Sequence, residues 1–502
     1  MRPLRCLATL SLVLTAFFSG PAWAQDPGQV LTLREAIQYA LAKNYSIKVD
    51  AFSTPIARAN VLAAWGAFDP VLSARYNYSE DGNPQPTDPT GNRPPGTVIE
   101  SDFYDVGIGG LTPWGLSYRL GASTQNRRVS TIGFIDSYYT FAGVEITQPL
   151  LRNFGFDANL AFVRLAAAER GMSQWEYRAT VMDVVTEVIF AYHDLYFYHK
   201  NLETARRSRD LVARLVGENE RRYRAGVLSE ADVTAARARA ASREEAILLA
   251  ARAVRDQENY LKSLISDERT MDLIDRPLVI TEPEPLPPIT PNPAVDFRRA
   301  LEQRPDYQRT QLLVRRADVN RRYRRNQLLP RVDLVGSYGY NGLDRDFSES
   351  RRQVADREIR SYSIGAVVSV PLTFATERGN YRSAKLSHQQ AETALEQLEQ
   401  TIVVQVGNAA GQIETAAERV EATRRSRELE QQNLEAEEKK LRSGTGNTFF
   451  VLQQQEFLAN TEIRAYRAAA DYQKALAAYD RQIGDTLSRH RIVIDDQATP
   501  AR

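Results

Sequence analysis

Val181, Val184, Val188, Ala191, Leu195, Tyr198 and Leu202 are spaced alternately three and four apart, within a stretch (residues 157–224) that contains no proline. Such a heptad stripe predicts a long amphipathic helix that must bury one seam against another. The stripe returns at Leu395, Leu398, Ile402, Val406, Ala409, Ile413, Ala416 and Val420. At about 1.5 Å of rise per residue, each helix is a rod roughly 100 Å long. A glycine follows each rod, Gly226 and Gly444, and a second helix returns over residues 229–266 and 448 to about 483. Small residues on the first return (Ala235, Ala236, Ala238, Ala240 and Ala241) suit close helix packing.

Elsewhere the period drops to two. Leu72, Ala74, Tyr76 and Tyr78 alternate with Ser73, Arg75, Asn77 and Ser79. Val332, Leu334, Tyr338 and Tyr340 share a face opposite Asp333, Ser337 and Asn341, and Tyr362, Ile364, Ala366, Val368 and Val370 repeat the habit. Dyad segments of roughly ten residues with tyrosine-bearing apolar faces fit strands of a membrane barrel, although a half-buried soluble sheet alternates in the same way. Two polar connections, 80–101 and 342–357, read as surface loops.

Landmarks recur in order along the chain. Arg222-Tyr223-Arg224-Ala225-Gly226 is answered by Lys440-Leu441-Arg442-Ser443-Gly444, and Gln148-Pro149-Leu150 by Val370-Pro371-Leu372. Asn159 with Arg164-Leu165 is answered by Asn380 with Lys385-Leu386, and Ala40-Leu41 with Asn44 by Ala300-Leu301 with Arg304. This is a tandem duplication, and two copies are too few for an open solenoid. Ala40 to Pro149 spans 109 residues and Ala300 to Pro371 only 71, a surplus of 38 in the first copy. The surplus overlaps a hairpin pattern: Tyr104, Val106 and Ile108, a turn at Thr112-Pro113-Trp114-Gly115, then Leu116, Tyr118, Leu120 and Ala122. It reads equally as two more membrane strands or as a hairpin standing above the membrane.

Composition narrows the class. The chain opens with Arg2 and Arg5, runs apolar from Leu7 to Phe18, and reaches Ala22-Trp23-Ala24, so residues 1–24 are expected to be a signal peptide. Cys6, the single cysteine, would leave with it, so neither disulfides nor thiolate metal sites are expected. Without Arg2 and Arg5 the chain has 62 basic and 63 acidic residues, a balance that argues against a nucleic-acid partner. No later apolar run is long enough for a membrane helix, so any crossing must be made by strands in a closed barrel. The four histidines (His193, His199, His388 and His490) lack metal-ligand spacing, and His193 is expected at a solvated or lumen-facing helix position. Gly107, Gly109 and Gly110 precede no helix and form no nucleotide loop. No site for covalent chemistry and no cofactor is visible, so an enzyme is not expected.

In this order the landmarks resemble the outer-membrane efflux protein family, the TolC-type channels, over nearly the whole mature chain. The features that carry the resemblance are the duplicated halves, Gln148-Pro149-Leu150-Leu151 before the first rod, the two glycine turns, and Asn44-Tyr45 and Arg304-Pro305-Asp306 in the opening helices. It implies a mainly α fold with a membrane β-barrel: a homotrimer whose strands share one barrel, usually four per protomer and six if the extra hairpin inserts. Helical hairpins would build a tunnel across the periplasm. The implied organisation is a first repeat at 25–275 (strands within about 71–148, hairpin about 156–267), a Pro-rich equatorial linker at 276–293, a second repeat at 294–485 (strands within about 332–371, hairpin about 378–483), and a tail at 486–502.

The function implied is a passive outer-membrane exit channel of a tripartite efflux or type I secretion system. Its partners would be outer-membrane lipid, a periplasmic membrane-fusion adaptor and an inner-membrane transporter. Ala225, Gly226, Val227, Leu228, Ser229, Ser443, Gly444 and Thr445 match the adaptor-docking turns, while glycine there is also what a tight helical hairpin needs in any case. The periplasmic gate matches Asp232, Phe450 and Gln453; the usual link partners of Asp232 fall at Leu441 and Gly446, which cannot form those bonds, and the usual acidic pair falls at Phe450 and Gln453. A ring of phenyl groups there implies a closed state held by apolar packing and little selective for cations. Read from the helices alone, a soluble periplasmic coiled-coil adaptor or scaffold remains the alternative.

Overall fold

The computed structural model describes residues 30–494, apart from 88, 94, 276, 287, 444 and 447. The expected signal peptide, Cys6, Pro287 of the linker, Gly444 of the second turn and the last residues of the tail therefore lie outside the described residues. The first half holds α1 (Leu33–Lys43), α2 (Tyr45–Asp50), α3 (Ser53–Trp65), β1 (Val71–Asn83), β2 (Thr97–Leu111), β3 (Ser117–Val129), β4 (Tyr138–Pro149), α4 (Phe156–Asn159), α5 (Ala161–Arg224), α6 (Glu230–Ile265) and α7 (Asp272–Asp275). The second holds α8 (Pro293–Gln303), α9 (Pro305–Gln327), β5 (Arg331–Asp344), α10 (Phe347–Ala355), β6 (Ile359–Ser369), α11 (Ala375–Arg442), α12 (Thr448–Ile483) and α13 (Thr486–Arg489).

The six strands form one antiparallel sheet in the order β1-β2-β3-β4-β5-β6. The surplus hairpin is thus part of the wall, as β2 and β3, and its register is continuous with both neighbours. Leu72, Ile108, Leu120, Val144, Tyr338 and Tyr362 stand in one row across all six strands. The adjacent row, on the opposite face, is Ser73, Gly107, Gly121, Gly143, Gly339 and Ser361. Even-numbered positions carry the apolar face and odd-numbered positions the small and polar one, as a membrane barrel requires. Two stretches expected as loops are shorter: β1 and β2 extend into 80–101, and α10 fills much of 342–357. Helix α10 lies on the apolar face, where the Ser350 hydroxyl donates to Thr140 Oγ1 and to the Gly342 carbonyl. The polar spacing of Glu349, Arg351 and Arg352 hid that short helix from a reading by hydrophobic period.

Two cores lie where the helical hairpins meet the short helices. In the first, Val181, Val185, Val188, Tyr192 and Leu195 of α5 pack against Ala36, Ile37 and Ala40 of α1 and Leu261 and Ile265 of α6. In the second, Ile402, Val406 and Ile413 of α11 pack against Ala300 of α8 and Leu476 and Tyr479 of α12. Leu286 of the Pro-rich segment touches both. The duplication reappears as matched bonds. Asn44 caps α2 and its amide donates to the Leu264 carbonyl (2.9 Å) at the end of α6. Arg304, at the break between α8 and α9, donates to the Gln482 carbonyl (3.1 Å) at the end of α12. The carbonyls at 264 and 482 stand 218 positions apart, as do Gly226 and Gly444. Asp267 and Asp485, at the same offset, take Lys48 (2.7 Å) and Arg299 (2.6 Å).

His193 corrects the sequence expectation: it is 2% exposed, because α1, α6 and α12 cover α5 nearly all round at this level. Burial lowers its imidazole to about 4. Asp480 is 1% exposed beside Arg489 (3.0 Å); burial, with help from Asp485 and against Arg489 and Arg299, pushes its carboxyl up to about 7. The two act in opposite senses. Asp480 holds its proton more tightly when folded, so its contribution is present below pH ~4 and is lost as pH rises through 7. His193 resists protonation when folded, so its contribution is present above pH ~6.5 and is lost as pH falls through 4. The contributions offset between these limits. Thermal unfolding of Asp480→Asn is expected to show stability rising with pH from 4 to 6.5, and of His193→Phe to show it falling, each by less than about 1.4 kcal/mol per pH unit. Parallel profiles for both variants and the parent would refute the assignment.

Candidate functional site

The far end of the helical hairpins consists of two turns, residues 225–229 and the described residues Ser443, Thr445 and Gly446. In the first, the Val227 amide donates to the Arg222 carbonyl and the Gly226 amide to the Tyr223 carbonyl, both at 2.9 Å. This pair of bonds is a Schellman closure, and it puts Gly226 at φ 74°, a left-handed conformation that penalises any side chain. Ser229 then caps α6: its hydroxyl accepts from the Asp232 amide (3.3 Å) and donates to Asp232 Oδ2 (2.6 Å). In the second turn the Thr445 amide reaches the Lys440 carbonyl (3.1 Å), the same five-residue span as Val227 to Arg222. The Ser443 hydroxyl also donates to that carbonyl (2.9 Å).

These closures use backbone groups and leave side chains outside. Val227 is 70% exposed, Tyr223 is exposed beside it, and Leu228 is half-buried. Ala225, Ser229, Ser443 and Thr445 are exposed as well. Lys and Arg crowd the last turns of α5 and α11 (Arg221, Arg222 and Arg224; Lys439, Lys440 and Arg442), complementing the helix C-termini. The apex is therefore apolar at the first turn and polar at the second, and Arg222, Lys440 and Arg442 behind it pair with Glu218, Glu437 and Glu438 of their own helices.

The expected gate residues share this end, Asp232 in the first turn of α6 and Phe450 and Gln453 in the first turns of α12. Asp232 is committed to the capping box with Ser229, which holds its carboxyl below the usual range. Phe450 and Gln453 both lie exposed on the first turns of α12. Phe450 packs edge-on to Phe449 (ring centroids 5.7 Å apart), and the Arg239 guanidinium of α6 sits 5.1 Å over the Phe449 ring. Arg243 of α6 reaches Glu456 of α12 at 3.1 Å, tying the two returning helices together. Gly446 is fixed sterically, because a Cβ there would stand 2.7 Å from the Leu441 amide nitrogen. No arginine can occupy that position without moving the turn. The Phe449–Arg239 contact and Tyr223 were not singled out from sequence; an adjacent aromatic pair just after a glycine turn was the available signal. Among the described residues no group of His, Cys, Asp or Glu could hold a metal ion.

A sequence model of the family described as "Outer membrane efflux protein" matches residues 115–266 and 297–485, one segment in each half. The chain belongs to the outer membrane efflux protein family. This efflux protein is accordingly an outer-membrane channel with a large periplasmic portion, and it performs no catalysis. The tip lies at the opposite end of the helices from the barrel sheet, so it is the periplasmic end. Among solved structures, the CmeC outer membrane channel of Campylobacter jejuni superposes with a TM-score of 0.66 at 14% identity, over 96% of this chain and 94% of that one. VceC of Vibrio cholerae gives 0.64 at 18% identity, over 90% and 96%. The open state of the MtrE channel of Neisseria gonorrhoeae gives 0.63 at 18%, over 91% and 90%. At these identities the likeness establishes the fold. No curated protein sequence matches.

Proposed function

We propose that three copies of this efflux protein close into one duct, the passive exit of a tripartite efflux or type I secretion system, opened at its helical tip by a periplasmic adaptor. The observation that carries the reading is the pair of equivalent turns, each closed by its own backbone, the first of which leaves its apolar apex, Val227, uncovered. Such an apex costs nothing to keep folded and gains its burial only from a partner. The edges of the sheet support the assembly. Strands β1 and β6 each have one unpaired edge, and an open edge is not tolerated in hydrocarbon. Joining β6 of one copy to β1 of the next removes every edge. The energy for transport comes from an inner-membrane transporter, because the chain carries no nucleotide loop and no membrane helix among its described residues. With the sheet in the outer membrane, the soluble scaffold alternative is set aside. Single-particle imaging of protein purified from outer membranes tests the assembly: a threefold particle supports it, and a monomeric or dimeric rod refutes it.

Closure of the tip rests on apolar contact. Three Phe450 rings narrow the axis by bulk and dewetting, with no carboxylate ring for cations to bind. Conductance in planar bilayers is expected to be insensitive to a trivalent cation at sub-millimolar concentration. Phe450→Asp with Gln453→Asp is expected to create such a block. Sub-millimolar block of the unmodified channel would refute this account of the gate.

A further inference from the structure

We propose that the outward face of the helices just below the barrel is a collar for anionic phospholipid headgroups of the inner leaflet, which holds the channel at a fixed height in the membrane. The inference rests on the outer-membrane placement of the sheet and not on the number of copies that close the wall. Charge points to the surface. The whole chain is close to neutral, yet α9, which leads into β5, carries seven arginines against two aspartates. The first turns of α11, which leaves β6 at the same level, add Arg378, Arg382 and Lys385.

Chirality decides which of these charges face out. Strand β5 rises from the periplasmic side, and Val332, on its lipid face, accepts at its carbonyl from the Leu150 amide just beyond β4 (2.7 Å). In a rising strand of L-residues, a residue whose side chain points at the viewer directs its carbonyl to the right. Seen from the membrane, β4 therefore stands to the right of β5, and the helices below run α3, α5, α9, α11 from right to left. On α9, Leu312 lies against Gly171 of α5 on the right, and Asp318 lies 3.9 Å from His388 of α11 on the left. A right-handed helix rising between them turns Arg315, Val319 and Arg322 outward, and Leu313 and Arg324 toward the lumen. On α11, which descends with His388 toward α9, the same geometry turns Arg378, Arg382 and Lys385 outward.

Acids neutralise part of this surface. Asp157 takes Arg164, and Asp318 takes Arg321 (2.5 Å) and Arg322 (2.8 Å). Arg378, Arg382 and Lys385 are exposed and make no ion pair among the described residues. Their height matches the lipid phosphates. Val332 and Val368 form the lowest apolar pair on the outer face of β5 and β6, and α11 begins six residues after β6 ends. At about 1.5 Å per residue the three cations stand roughly 5–15 Å below the start of α11. The polar layer beyond the hydrocarbon is about 5–8 Å thick, and its field reaches about 8 Å farther. Side chains lean toward the amino terminus of their helix, which on α11 is the membrane end, so all three reach up toward the headgroups. That end also favours anions, because Phe374 at the N-cap supplies no side-chain acceptor to its free N–H groups. A juxtamembrane cluster of this kind fits a phosphate-bearing lipid surface.

The test is native mass spectrometry of the purified channel in detergent, titrated with phosphatidylglycerol and, as a zwitterionic reference, with phosphatidylethanolamine. The parent is expected to retain phosphatidylglycerol preferentially, and the preference to fall as salt is raised. Each cation near an anionic surface contributes roughly fivefold to affinity. Arg378→Gln, Arg382→Gln and Lys385→Gln combined are expected to reduce the preference by about tenfold or more, with the melting temperature unchanged. Arg378→Lys with Arg382→Lys is expected to keep it. Equal retention of the two lipids by the parent overturns the collar, and so does a combined variant that retains phosphatidylglycerol as the parent does. Should the combined variant fail to assemble, Arg382→Gln alone decides in the same way, with a loss of about fivefold expected. A parent that ignores phosphatidylglycerol but sediments with isolated cell-wall sacculi through these residues overturns the lipid assignment. The same spectra give the number of copies, so a failure of the threefold assembly is read separately.

Discussion

Val227→Asp is expected to abolish adaptor-dependent efflux while leaving the trimer, its thermal stability and its place in the outer membrane unchanged. The side chain is 70% exposed and its backbone amide, which closes the turn, survives the substitution. Exposed substitutions away from caps and cores change stability by about ±0.5 kcal/mol or less. Docking is a different matter, since a carboxylate buried in an apolar contact must lose its water without gaining a partner. A tenfold loss of adaptor affinity corresponds to about 1.4 kcal/mol, and an unpaired buried charge costs more than that. The measurements are drug or secretion tolerance of a strain dependent on this channel, and pull-down of its adaptor by the purified trimer. Val227→Leu retains both, because it keeps an apolar apex. Full transport by the Val227→Asp trimer would show that the first turn is not the docking surface. Thr445→Asp at the matching position then reports whether the second turn carries the contact instead.

The sequence made the helical scaffold legible because heptad spacing is a strong signal. The residues of the stripe, Val181 to Leu202, are the ones the structure buries, with Tyr198 half-covered. The strands were legible for a similar reason: period two persists without a bulge, so even and odd positions keep their faces from β1 to β6. What the alternation could not decide was where the surplus hairpin goes. An apolar face looks the same whether it meets lipid or packs above the membrane, and the answer depends on pairing of Tyr104 with Tyr76 and of Val144 with Leu120, contacts distant in sequence. His193 was misplaced because neighbouring polar residues suggested a wet face, whereas packing by three other helices decides its burial. At the tip, the glycines announced both turns. The commitment of Asp232 to Ser229 was also open to reading, since Ser followed three residues later by an acid is a capping box. The contact of Arg239 with Phe449 joins two different hairpins and leaves no local trace.

Arg304→Leu is expected to destabilise the junction of α8 and α9 more than any surface change, by about 2–4 kcal/mol, chiefly through the buried hydrogen bonds it loses. A guanidinium has five N–H donors, and all five are used here. Nε and Nη2 donate to Asp306 (3.0 and 2.7 Å), Nη2 also to Gln405 (2.8 Å), and Nη1 to the carbonyl and side chain of Gln482 (3.1 and 3.0 Å). With 5% of the residue exposed, leucine would leave the Gln482 carbonyl without this donor, while Asp306, whose side chain is 42% exposed, keeps the Tyr307 amide (2.9 Å) and water. Lysine cannot substitute, having three donors and no planar fork. Both variants are expected to unfold at lower temperature and to lose protection from proteolysis around α8, Arg304→Leu more than Arg304→Lys. Asn44→Leu, the counterpart in the first half, removes a neutral bond and a cap and is expected to cost less, about 1–3 kcal/mol. The position of this anchor bears on gating. Helix α12 begins at the tip, where an adaptor would displace it, and ends at Ile483, next to Gln482, where Arg304 ties it to α9 and α11. A helix of 36 residues held at one end can swing at the other without leaving the wall. If Arg304→Lys matches the parent in stability and transport, the fork is not what holds that end, and the pivot must lie elsewhere along α12.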